Sequence, residues 1–510
     1  MKDIIKSAVA LSIINVFIKL LGPARNILFA HKFGISRKLD AYFISQNFID
    51  VVIAIFTFTI IIIAVPAFIE ELSEKEKKDN GFGLAIDSFI NQNILLAIIL
   101  TVLFFALSGP IASIIPGFSN SSAQKDLSHL LAIFSFVFLF SIPFTAITGF
   151  FYSMNRFILP SFLKALPVVS VILSIAVFSG FLDIYSIPSG ILFGNFIISV
   201  FLFGAYIKSR RGYYFTIKNV KIIRKIKNLI IPTIIFSAGG YLNLLVDQLL
   251  TSRIKDGAVS ILSYAQFFIM MTFTLITLPL ITAIFPKMSR NNVLKGNKSL
   301  IDITSKGFIV LTTVMIPFIL LILFFRVSII DLFYNHGKFD FLAVGETARV
   351  LLAYGPAMLF LSLNNLIQRI FFTKRAMLSL MFLTIGSISL NIILDFYFSS
   401  LFSIPGIALA TSVNDILYFF LILFVLHRRY NIHFLSNIKK ELLQILFSAS
   451  LMATTLFIVL AVFPFTRSDS KINLFFSLLF YSGLGFIVYI LSMTVIFKNN
   501  IFKSILAKNE

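Results

Sequence analysis

The stretch Ile18–Phe48, IKLLGPARNILFAHKFGISRKLDAYFISQNF, decides how this chain must fold. It ends one long apolar run and begins the next, yet it carries Lys19, Arg25 and Asp40, with a Gly22-Pro23 break between the two cations. An ionisable side chain at membrane depth is costly, and its presence there marks a substrate or ion pathway. The remaining sequence must therefore supply a polar cavity inside an otherwise apolar body.

Working outward, the composition agrees. Of 510 residues, 58% are hydrophobic and only 13% charged, and the mean hydropathy is +0.97. Those values lie outside the range of soluble globular chains and define an integral membrane protein. The apolar runs are about 20 residues or longer, enough to cross the hydrocarbon as helices, and they lack the alternation of barrel strands. Polar punctuation divides them into fourteen expected spans, from 4–31 to 472–497. The first run is too long for a signal peptide and has no small-residue cleavage site, so it is read as a retained span.

A net charge of +21 raises the question of nucleic acid, but the cations are scattered through short loops between apolar runs. That pattern fits topology and attraction to anionic lipid, with no nucleic-acid partner. Most of the 43 Lys and Arg fall on the N-terminal side of the alternating loops, which places both termini in the cytoplasm by the positive-inside rule. The absence of cysteine removes disulfides, thiol catalysis and thiolate metal sites.

The chain also repeats. Gly149-Phe150-Phe151-Tyr152 with Asn155-Arg156 returns as Ile370-Phe371-Phe372-Thr373 with Lys374-Arg375. Gly190-Ile191 returns as Gly406-Ile407, and Tyr42 as Tyr264, all at a nearly constant offset somewhat under half the chain. Six spans per half is an even number, so the halves are parallel repeats related by a pseudo-twofold about the membrane normal. The expected organisation is a six-helix lobe over 1–210, a basic cytoplasmic linker at 211–228, a second six-helix lobe over 229–430, and two additional helices over 431–510.

Two constellations carry chemistry. In the first, Pro23 removes a backbone donor and Gly22 permits close approach, so the pair is a candidate hinge. Lys19 and Arg25 are six residues apart, about 600° of helical turn, and lie on different azimuths unless the break redirects one of them. Arginine offers a planar fork to a phosphate and lysine a point charge, so Lys19 and Arg25, with Asn26, Asp40 and Asn47, form the candidate substrate-binding set. The competing reading for Arg25 is a salt bridge to Asp40 or Asp50 that only joins two helices.

In the second constellation Asn391 and Asp395 share a helix face at i,i+4, Ile407 and Thr411 follow Pro405-Gly406 with the same spacing, and Asp247 adds a second carboxylate. An all-oxygen set of this kind suits a hard monovalent cation. The competing reading is interhelical hydrogen bonding by Asn391 and Asp395. No other cofactor is expected. His31, His129, His336, His427 and His433 lie at span ends or in loops without a catalytic or metal pattern around them, which points to a transporter and away from an enzyme.

With these residues in view, the chain resembles the MurJ (MviN) family of flippases within the multidrug, oligosaccharidyl-lipid and polysaccharide exporter superfamily. The resemblance is carried by Leu332-Phe333-Tyr334-Asn335-His336-Gly337-Lys338-Phe339-Asp340, by Thr347, Leu351 and Tyr354, by Arg369-Ile370-Phe371-Phe372, and by the runs Leu242–Asp247 and Gly406–Ser412. It implies alternating access that moves an undecaprenyl-pyrophosphate-linked peptidoglycan precursor, lipid II, from inner to outer leaflet of the bacterial cytoplasmic membrane, by a monomer among membrane lipids. It also implies that Arg25 is a cavity arginine, that Lys19 replaces another, that Asp40 matches an essential acidic residue, and that Asp247, Asn391, Asp395, Ile407 and Thr411 hold sodium. The chain departs from the family at Asn26, usually acidic, near Ile53 and Ala54 in the second span, and at Phe267, where arginines are usual. The alternatives are a flippase for another polyprenyl-linked glycan or a drug exporter of the superfamily, then a membrane glycosyltransferase or an inactive scaffold.

Overall fold

The computed structural model describes residues 21–60, 64–74, 84–119, 121–210, 213–218, 221–374, 376–463 and 470–496. Every regular element among them is helical, as expected of a chain whose backbone must satisfy its own hydrogen bonds within each crossing segment. Ten helices are long and apolar enough to cross a membrane, or eleven when the bent pair Phe341–Ala353 and Gly355–Thr373 counts as one span, among the described residues. The protein is an all-α integral membrane protein. Lys19 and most of the first expected span lie outside the described residues.

The repeat is visible in the backbone. Asp183 (φ 49°) and Ser403 (φ 55°) both make a positive-φ turn between two antiparallel apolar helices, at corresponding positions of the two halves. Arg156 donates its N–H to Phe151 O at 2.9 Å, and Ala376 donates to Phe371 O at 2.8 Å, again at corresponding positions. In each half the helix ahead of that turn is also interrupted, at Phe136 in the first and Tyr354 in the second. The two spans expected at 157–179 and 184–207 correspond to the helices Ile158–Leu163 and Leu166–Leu182 and to the helix Ser186–Arg210.

Close helix crossings explain the paired glycines of the repeat. A Cβ at Gly190 would lie 2.7 Å from Val171 Cα, and one at Gly406 only 2.0 Å from Phe398 O. Glycine lets Ser186–Arg210 lie against Leu166–Leu182 and Ile404–Tyr430 against Met377–Phe402.

The chain forms two compact units. The first comprises Met1–Ser260 with His336–Phe339, and the second Ile261–Asn335 with Asp340–Glu510. The Lys221–Thr251 helix, assigned to the second lobe by the repeat, is grouped with the first unit and packs on Arg37–Thr59. The first core gathers Phe68, Phe89, Ile90, Phe150 and Tyr206. In the second unit, Lys439–Val462 and Lys471–Leu491 pack through Met452, Leu456, Leu474 and Tyr489 onto Phe325. Tyr489 donates its hydroxyl to Thr313 O (3.1 Å), and Lys471 reaches the Asp331 carboxylate at 2.8 Å. Phenylalanine is abundant on the outside as well, with Phe181 89%, Phe457 68% and Phe480 66% exposed, as expected of side chains whose solvent is lipid.

Candidate functional site

Residues 21–33 are helical, and Gly22 and Pro23 sit within that helix. Two residues on, Arg25 is partly buried. Its Nε and Nη2 both face Asn26 Oδ1 at 3.4 Å, and its guanidinium lies 5.3 Å from the Phe29 ring centre. Asn26 is 6% exposed, so the amide that stands where the family has an acid is itself interior. Among the described residues no carboxylate forms an ion pair with Arg25, and Asp40 pairs instead with Arg37 at 3.7 Å. Asn47 is partly buried on the Arg37–Thr59 helix.

Asp40 is fully buried. Its Oδ2 accepts from Gly257 N at 2.7 Å, and its Oδ1 accepts from both the backbone N–H and the hydroxyl of Ser260 at 2.7 Å. These donors open the Ala258–Thr272 helix, whose first N–H groups have no partner within the helix. A carboxylate there is favoured by hydrogen bonding and by the helix dipole. Asp40 is thus tied into the protein, whereas Arg25 keeps its donors directed at a neutral amide.

Sequence reasoning missed Arg37. Its guanidinium lies 4.1 Å from the Phe118 ring centre, donates to Ser252 O at 2.9 Å and approaches Asp256 at 3.3 Å. Nothing local marks it, because Phe118, Ser252 and Asp256 all come from distant segments of the chain. Arg369, noted only as part of a motif, sits between the Phe285 and Phe372 rings at 5.7 and 5.3 Å. Its Nε is buried and has no hydrogen-bond partner among the described residues.

Of the candidate ion ligands, Asn391 and Asp395 are both fully buried, and the Asn391 amide donates to Asp395 Oδ2 at 2.7 Å. On the neighbouring helix the Thr411 hydroxyl donates to Ile407 O at 3.2 Å. The i,i+4 pairs therefore form as the spacing predicts. Asp247 is 1% exposed in the first unit, where Thr251 donates to its carbonyl at 2.6 Å. Among the described residues no three His, Cys, Asp or Glu side chains converge, so any cation here would rest on amide, hydroxyl and carbonyl oxygens as much as on carboxylates.

A second missed cluster straps residues 213–218 to the start of the Leu84–Ile114 helix. Asn91 donates to Tyr214 O (3.1 Å) and Thr216 O (3.0 Å), and Gln92 donates to Ile217 O (2.7 Å). Buried Asp87 accepts from Tyr206 OH and from Tyr214 N (3.3 Å). Burial, with the Asp87 charge nearby, pushes the Tyr213 phenol up.

Helical repeats of this topology, with interior polar and charged groups on broken helices, define a polytopic membrane protein built from two related helical halves. The fold is similar to a solved "Lipid II flippase MurJ, inward closed conformation" (TM-score 0.80, 24% identity, 96% of this chain and 99% of that one). It is also similar to an inward-facing multidrug resistance MATE family transporter of the MOP superfamily (TM-score 0.65, 14% identity, 80% and 94%). Among relatives, the lipid II flippase MurJ of Thermosipho africanus (strain TCF52B) is 27% identical with all of both chains covered. The probable lipid II flippase MurJ of Borreliella burgdorferi is 24% identical over 91% of this chain and 90% of that one. The family pattern described as "Lipid II flippase MurJ" matches residues 29–476, and the chain belongs to that family.

Proposed function

We propose that this protein is a lipid II flippase of the bacterial cytoplasmic membrane, working as a monomer by alternating access with both termini in the cytoplasm. Membership of the family across 29–476 is the observation that carries the reading. The multidrug transporter likeness supports the same architecture at lower identity and coverage.

The physical problem is to bring a pyrophosphate and its sugars through hydrocarbon while the polyprenyl tail stays in lipid. Arg25 supplies a fixed fork for the pyrophosphate, with Lys19, outside the described residues, as a second cation and Asn26 and Asn47 as neutral hydrogen-bonding neighbours. Gly22 and Pro23 give the first helix its bending point. A sodium ion held by Asp247, Asn391, Asp395, Thr411 and the Ile407 carbonyl biases one conformation, because a ligand shifts an equilibrium only by its differential affinity for the two states.

The test is rescue of growth, and of lipid II exposure on the outer leaflet, in cells depleted of their own lipid II flippase. Rescue by the wild-type chain is expected. Failure with the protein present in the membrane overturns the reading, and drug resistance without rescue favours the drug exporter.

A further inference from the structure

We propose that a hollow at the loop end of the Val137–Ser153 and Ser186–Arg210 helices binds the headgroup phosphate of an anionic phospholipid from the surrounding leaflet. The hollow is ≈ 430 Å³ and is lined by Phe151, Arg156, Leu159, Ala205, Lys208 and Ser209, all in the first unit. That volume is within the range of about 300–1,000 Å³ typical of small-ligand sites.

The turn that presents Arg156 is locally fixed. Asn155 adopts φ 57°, its N–H reaches Tyr152 O at 3.0 Å, and Arg156 N–H reaches Phe151 O at 2.9 Å. This is the Schellman arrangement that ends a helix on a left-handed residue, and it sets the direction of the next side chain. Arg156 Nη1 points to Ser209 Oγ at 3.4 Å, which brings guanidinium, hydroxyl and the adjacent Lys208 to one edge of the hollow. A fork, a point charge and a hydroxyl are the donor types that recognise phosphate oxygens. No carboxylate is among the lining residues, so the protein itself does not neutralise the pair within the hollow, among the described residues.

The other wall decides that the occupant is an amphiphile. Phe151, Leu159 and Ala205 are apolar, and the flanking Ile158, Phe162 and Phe201 are 43%, 57% and 65% exposed on lipid-facing helix surface. Both cations stand at the ends of apolar helices, at the depth where long basic side chains reach headgroups.

The experiment is native mass spectrometry of the full purified chain titrated with phosphatidylglycerol and, separately, phosphatidylcholine. Preferential retention of phosphatidylglycerol is expected. R156Q/K208Q should weaken it roughly 30-fold, taking about 1 kcal/mol for each interfacial cation, without changing phosphatidylcholine retention. K298Q/K306Q, with two cations removed elsewhere, should behave as wild type. An unchanged phosphatidylglycerol preference in R156Q/K208Q overturns the proposal, as does an equal loss in the control. Excess inorganic phosphate that displaces the lipid as effectively as added phosphatidylglycerol would overturn the lipid assignment in favour of a simple anion site. Should the double variant not remain folded by thermal unfolding, R156Q alone gives the same readout at roughly 5-fold.

Discussion

Asp40 and Ser260, from distant segments of the chain, are joined by two 2.7 Å hydrogen bonds, one from the Ser260 backbone N–H and one from its hydroxyl, both to Asp40 Oδ1. With Gly257 N–H on Oδ2, the carboxylate of one helix caps the start of another. Asp40→Asn keeps one carbonyl oxygen but turns an NH₂ towards a buried donor. The expected loss is about 1–3 kcal/mol, the cost of leaving a buried donor unmet, read from thermal unfolding of the purified protein. An Asp40→Asn protein as stable as wild type would show that this cap is dispensable for stability.

Arg25 carries the opposite expectation. Its guanidinium faces neutral Asn26 and the Phe29 ring and forms no ion pair among the described residues, so removing it breaks no direct carboxylate contact, although its charge acts on the nearby Asp50 carboxylate. Arg25→Ala should leave the unfolding temperature within a few degrees of wild type and abolish rescue of flippase-depleted cells, and Arg25→Lys should recover part of it. Full growth with Arg25→Ala would remove Arg25 from headgroup binding.

The buried Asn391–Asp395 pair separates an ion site from a structural hydrogen bond. Sodium, compared with potassium at equal ionic strength, should raise the unfolding temperature of the wild-type protein. Thr411→Val and Asp395→Asn should each erase that increment, because one hydroxyl or one charge is taken from a set of few ligands. A sodium increment that persists in both variants would leave the pair as a structural contact only.

The glycines at the helix crossings are steric requirements. Gly406→Ala places a carbon 2.0 Å from Phe398 O, a backbone atom that cannot move alone. The two helices must separate, with an expected cost of about 1–3 kcal/mol or more. Gly345→Ala, where a Cβ meets nothing within 4 Å, is the matched control and should be near neutral. The comparison is the yield of folded protein and its unfolding temperature.

The strap over residues 213–218 depends on the Asn91 and Gln92 amides. Asn91→Leu removes two donors to the strap backbone, and limited trypsin digestion should then cut at Lys218 several-fold faster while the helices stay protected. Unchanged cleavage would mean that the Gln92 and Asp87 hydrogen bonds, with the packing of Tyr213 on Tyr206, retain the segment without Asn91.

Much of this was legible in the residues. Individual spans were legible because an apolar helix must match the hydrocarbon thickness, although ten or eleven, not the expected fourteen, qualify among the described residues, and the nearly constant repeat offset reappears in the turns at Asp183 and Ser403. The i,i+4 contacts of Asn391 with Asp395 and Ile407 with Thr411 follow from helical period alone. Arg37, Asp87 and Arg369 were not legible as structural or interior groups. Most of their partners come from remote segments, and no local pattern distinguishes a cation that packs on a ring from one that faces water.

By itself, then, the sequence determined a helical membrane protein built as a repeat, because in lipid each crossing segment must satisfy its own backbone and therefore writes its length and polarity locally. Only the tertiary structure decided how the charges of the first and second helices are used. Asp40 is bound to the N-terminus of a distant helix and to Arg37, while Arg25 is left beside a neutral amide. That division depends on which donors are brought within about 3 Å of a carboxylate by helix packing, a long-range property that neither spacing nor composition encodes.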